Sequence, residues 1–144
     1  ILPKILVIMD WLLLIILISV VARRNADLTL VRNRKAGRSA RTRLKQADRY
    51  RKAGDSDRFY EEIGKAIWGY LSHKLNIETF GLSREVVMEQ MERLRVPEEQ
   101  RDELLRILEE SEFSRFAPTS VRSEMNTLYS DAAQLIRNLE NILK

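Results

Sequence analysis

The sequence has no cysteine, one histidine, three prolines and five glycines among its 144 residues. Without cysteine, a disulfide scaffold, a zinc ribbon and a thiol nucleophile are excluded. His73 is the sole histidine, so His-rich metal sites are excluded and a Ser-His-Asp triad has one imidazole to draw on. Glycine and proline are too scarce for a turn-rich all-β fold or a disordered linker. No Gly-rich phosphate loop, HExxH pair or EF-hand pattern occurs, and no five-residue run carries a clear strand alternation. No catalytic, cofactor-binding or metal-ligating set emerges, and the chain reads as a non-enzyme. Its length is room for one domain and little more.

What the sequence does have is poorly mixed. Residues 5–22 are apolar except for Asp10, and Leu12 to Leu17 are apolar on every face. Eighteen helical residues reach roughly 27 Å, close to the hydrocarbon thickness of about 30 Å. A cleaved signal peptide fits badly, because the positive charges follow the apolar run and no small-residue cleavage site appears. A buried core helix is the competing reading, against which stands the apolar character of Leu12 to Leu17 on every face. The expectation is a transmembrane helix over 5–22. Lys4 alone precedes it, whereas Arg23, Arg24, Arg32, Arg34, Lys35, Arg38, Arg41, Arg43 and Lys45 follow. The positive-inside rule then places the C-terminal side in the cytoplasm. The chain opens on Ile1, not Met, and 1–4 is expected to be the end of an extracytoplasmic part.

Between Arg23 and Arg58 thirteen Lys/Arg face four Asp, a net charge of +9; from Phe59 to Lys144 the net charge is −5. A basic juxtamembrane neck over 23–54 therefore leads into an acidic body over 55–144. Ala36, Ala40, Leu44, Ala47 and Tyr50 recur at helical spacing, with a cationic stripe of Arg34, Arg38, Arg41, Lys45 and Arg49 displaced around the same helix. Gly54 predicts a stop to about Ala53, with Ser56 or Asp57 capping a helix to Leu75. The small residues Gly64, Ala66 and Gly69 suggest close approach of the neck, as in an αα-hairpin. Ser83 caps a third helix to about Leu94, with Val86, Val87, Met91 and Leu94 apolar. Pro97 suits the first position of a fourth, running to about Ser114. Thr119 or Ser120 opens the last, whose apolar face runs from Met125 to Leu143. The predicted fold is all-α: one transmembrane helix, the basic neck helix and a cytoplasmic bundle, with about five helices after the span.

Few side chains suggest function. Asp10 is the one ionisable group in the span, either a structural breach or a contact with a polar or basic group in another transmembrane helix. The neck cations Arg23, Arg24, Arg34, Arg38, Arg41 and Lys45 admit three readings: nucleic acid, anionic lipid headgroups, or a solvated face. Headgroups are nearest, and only Tyr50 offers a base-stacking ring. Arg115 and Phe116 are partner-docking candidates, because Arg and aromatics anchor interfaces; the competing reading makes Phe116 a core plug at a helix joint. The run Glu98 to Glu103 reads as a solvated first turn and not a metal site. His73 lies near a helix C-terminus, and Met88 and Met91 read as core fillers.

The order of short motifs adds to this. After the span come Arg34-Lys35-Ala36-Gly37-Arg38-Ser39-Ala40, Phe59-Tyr60-Glu61-Glu62-Ile63, Gly69-Tyr70-Leu71, Lys74-Leu75-Asn76-Ile77, Gly81-Leu82-Ser83-Arg84-Glu85, Ser114-Arg115-Phe116-Ala117-Pro118 and Leu135-Ile136-Arg137-Asn138-Leu139-Glu140. The series is similar to the C-terminal part of the BatD oxygen-tolerance (aerotolerance) family, without that family's β-sandwich-like extracytoplasmic region. The resemblance implies a single-pass protein of the bacterial inner membrane, working as an envelope stress-tolerance scaffold. It implies von Willebrand A-domain membrane proteins and a MoxR-type AAA+ ATPase as partners, with no cofactor and no small-molecule substrate. An accessory subunit of an enzyme and a single-span signal relay are the alternatives.

Overall fold

The computed structural model describes residues 2–119 and 124–143, with side chains described outside 25–33 and 79. Five α-helices carry the chain: α1 (Leu2–Ala53), α2 (Ser56–Leu75), α3 (Arg84–Arg93), α4 (Glu98–Phe116) and α5 (Met125–Ile142). A 3₁₀ turn, Thr79–Gly81, joins α2 to α3, and no strand occurs among the described residues. The chain divides into two compact units, one up to Arg32 and one from Asn33 onward.

In the first unit, Leu2–Arg24 is long and apolar enough to cross a membrane. None of its side chains is buried; Leu13 is 68% and Trp11 63% exposed. A helix that is apolar all round with no side chain buried suits a hydrocarbon solvent. It is longer by three residues at its start and two at its end than the predicted 5–22.

In the second unit the core is built around α2. Its Phe59, Ile63, Ile67, Tyr70 and Leu71 are almost wholly buried. They pack with Met91 from α3, Leu104, Ile107 and Leu108 from α4, and Leu128, Leu135 and Leu139 from α5. The remaining wall is the later part of α1. There Ala36, Ala40, Leu44 and Ala47 are at most 5% exposed and join the same core, as their spacing predicts. These small side chains let the helix backbone approach closely. At Gly37 an added Cβ would sit 3.3 Å from the Glu140 carboxyl of α5. Gly69 faces α1, where a Cβ would lie 3.9 Å from Arg43 Nε, but Gly64 instead faces Ser111 of α4. The expected approach by the neck holds for one glycine of the two.

The helix ends explain where the predicted boundaries shift. Gly54, at φ 75°, closes α1: the Asp55 amide donates to the Tyr50 carbonyl (2.9 Å) and the Gly54 amide to that of Arg51 (3.2 Å). Asp55 is then the first residue free to cap α2, and its carboxylate accepts from the Arg58 amide at 3.3 Å, displacing Ser56 and Asp57 from that role. Ser83 caps α3 as predicted, accepting from the Val86 amide at 3.2 Å. Pro97 stands one residue outside α4, with ψ 144° and its carbonyl accepting from Gln100 and Arg101. α4 runs two residues past Ser114. Neither predicted opener starts the last helix: extended backbone at Glu124 delays α5 to Met125, and Ser120 lies outside the described residues. Leu94 is half-exposed because it falls beyond the buried face of α3, and Val96 fills the core position instead.

One helix end goes against local preference. Arg95 adopts φ 57° and terminates α3, with the Val96 amide donating to the Met91 carbonyl at 2.9 Å. A side chain at left-handed φ is strained, whereas glycine is not. Arg95→Gly should therefore raise the unfolding free energy of the detergent-solubilised chain by about 0.5–1 kcal/mol. A denaturant titration showing a loss of stability would contradict this.

Candidate functional site

Two exposed rings stand at the end of α4, and a third, Phe80, stands on the 3₁₀ turn between α2 and α3. Phe116 is 79% and Phe113 60% exposed, so Phe116 is no core plug. The two sit three residues apart, hence on one helix face. With Ala117 and Pro118 they line a shallow depression. The helix continues through Phe116, which carries the ring outward; Ala117 takes the buried place at the joint.

Arg115 ties this depression to its neighbour. Its guanidinium carbon lies 5.1 Å from the Phe116 ring centroid, a cation–π distance, and its Nη2 lies 3.8 Å from Glu61 Oε1 of α2. Lys65, one turn along α2, donates to Glu61 and, with Arg115, holds that carboxyl below the usual range. The same Arg115 lines a second groove of about 370 Å³, whose apolar parts include Tyr60, Trp68 and Leu82. The structure thus brings Arg115 and Phe116 together as a partly apolar, partly ionic edge. Phe113 and Trp68 belong to it and were missed from sequence. The i, i+3 spacing of Phe113 and Phe116 was the available signal; that of Trp68 was hidden among core residues of α2.

The cations after the span are displayed as predicted. Arg23, Arg24, Arg34, Arg38, Arg41 and Lys45 are all exposed, and none of these side chains forms an ion pair or hydrogen bond among the described residues. Further along, the stripe gives way to structural cations. Arg51 and then Lys52 hydrogen-bond Asp48, at 2.9 and 3.1 Å, and hold its carboxyl below the usual range. Arg51 also lies over the Tyr129 ring at 5.4 Å, joining α1 to α5. Asp10 is exposed in the apolar segment and meets no polar group among the described residues.

No group of three His, Asp or Glu side chains capable of holding a metal occurs among the described residues. Glu98 and Glu99 occupy the first turn of α4, and His73 the last turn of α2. Met91 is fully buried and Met88 packs against the core beside it.

Comparison of the chain with protein-family models, with curated proteins and with solved structures returns no match. The exposure of Phe116 makes a direct prediction. Phe116→Ala should change stability by no more than about 0.5 kcal/mol, while Ile67→Ala in the core should cost about 2–5 kcal/mol. Parallel thermal melts of the two variants check this; an equal loss in both would return Phe116 to the core.

Proposed function

We propose that this chain is a membrane-anchored, non-enzymatic interaction module, holding partner proteins at the membrane through its helical bundle. The observation that supports this best is the exposed Phe113–Arg115–Phe116 edge on an otherwise well-packed core. Two rings on one helix face form an apolar pair held in water, a surface suited to being covered by a partner. Exposed aromatics beside an arginine are the composition of interface anchors. In this reading Leu2–Arg24 is a single span of a bacterial inner membrane, with the bundle in the cytoplasm, as the cations after it favour. The free cations of the neck rest on anionic headgroups, at about 1 kcal/mol each near the surface.

The motif order extends the reading to a BatD-like scaffold of an oxygen-tolerance complex. Its partners would then be von Willebrand A-domain membrane proteins and a MoxR-type ATPase. Asp10 supplies a second contact, to a polar or basic group of a partner's transmembrane helix, since a lone carboxylate in hydrocarbon is costly.

Co-purification of the tagged full chain from its own membranes tests the proposal. The parent should retain a defined set of membrane and ATPase partners. Phe116→Asp should lose the cytoplasmic members with its melting temperature kept, and Asp10→Leu should insert normally but lose the membrane members. Unchanged partner recovery by both variants, or turnover of a small molecule by the isolated chain, would overturn it.

A further inference from the structure

A groove of about 420 Å³ runs between the later part of α1 and α5. Its apolar lining comes from Leu44, Tyr129, Ala133 and Ile136. Arg41 and Lys45, one turn apart on α1, stand on one side, and Arg137 of α5 stands on the other. None of the three forms an ion pair among the described residues; Arg137 donates only to the neutral Gln134 amide, at 2.9 Å.

One carboxylate, Glu140, also lines the groove, but its charge is already countered. Lys74 of α2, whose side chain is 5% exposed, places Nζ 3.6 Å from Glu140 Oε1. The ammonium is thus held inside the bundle and leaves the three outer cations without a protein anion. Beside this pair the Tyr70 hydroxyl is buried, and burial first, then its contact with the Glu140 carboxylate, pushes its pKa up. A phenol kept neutral there adds no negative charge to the groove.

Two walls of unpaired cations over an apolar floor are complementary to an anion that carries an apolar body. The guanidinium fork suits phosphate oxygens, and a lysine one turn away adds a point charge. A nucleotide is disfavoured because Tyr129, the one ring in the groove, already carries Arg51 against it. We infer that this groove between α1 and α5 seats the headgroup and glycerol of one anionic phospholipid. The inference rests on the reading of Leu2–Arg24 as a span, which makes the chain a protein of phospholipid membranes. It differs from a diffuse attraction of the neck because it needs Arg137, eighty-four residues beyond the end of α1.

The test uses the full chain in an uncharged detergent, titrated with dihexanoyl phosphatidylglycerol and followed by native mass spectrometry. One lipid should bind per chain, at least tenfold more tightly than dihexanoyl phosphatidylcholine. Arg137→Gln and Lys45→Gln should each weaken it about tenfold, and Arg93→Gln, on α3 and outside the groove, less than twofold. Equal affinity for the two lipids would overturn both the groove and the headgroup reading of the neck. Selective phosphatidylglycerol binding that survives Arg137→Gln but falls with Arg34→Gln would overturn the groove alone. Glycerol phosphate binding as tightly as the lipid would show an anion site without a lipid. Displacement of the lipid by a Glu/Leu-rich peptide at lower concentration would assign the groove to protein instead.

Discussion

Burial of a narrow face of small side chains on the later part of α1 is the constraint on which the second unit depends. Ala36, Ala40, Leu44 and Ala47 offer little apolar area individually. Their value is that they seat the helix in the same core as α2 and α5, with Gly37 against the Glu140 side chain and Gly69 against that of Arg43. The opposite face of the same turns is then held outward at a fixed place on the bundle. A basic segment that would otherwise be a loose tether becomes a wall with its cations in register.

Charge is partitioned to match. The acidic body uses its carboxylates on its own cations. Arg106 of α4 bonds Glu103 and Glu110 on its own helix and Asp131 of α5 at 2.7 Å; the hydrogen bond to Arg106 holds the Glu103 carboxyl below the usual range. Arg84 ties α3 to Glu109 and Glu112 of α4. Such partly exposed pairs contribute modestly to stability, and one of them reaches α1, where Arg43 faces Glu62 at 3.8 Å. Arg34, Arg38, Arg41 and Lys45 keep their charge available to something outside the bundle, and the exposed rings of α4 offer a second, apolar surface.

Much of this was legible in the residues. The apolar segment, the number of helices, the alanine face and the cationic stripe follow from periodicity, which reports which faces must be buried. The Ser83 cap and the Gly54 stop follow from local backbone chemistry. Other features depend on tertiary contact and left no local mark. Arg95 ends α3 at a positive φ that favours glycine, so no turn signal announces it. Phe116 could be core or surface until the length of α4 was known, because two more helical residues rotate it outward. Arg137 joins Arg41 and Lys45 only through the packing of α5 on α1, across more than ninety residues of sequence. The pair of Lys74 and Glu140 likewise forms only through the packing of α5 on α2.

The central claim is that the basic segment after the span is a structural wall of the bundle and not a tether. Amide hydrogen exchange of the full chain in phospholipid nanodiscs tests it most directly. Amides from Ala40 to Tyr50 should exchange as slowly as those from Ile63 to Leu71 of α2, because both open only when the shared core unfolds. Exchange of the former on the timescale of a frayed helix, with α2 still protected, would contradict the account.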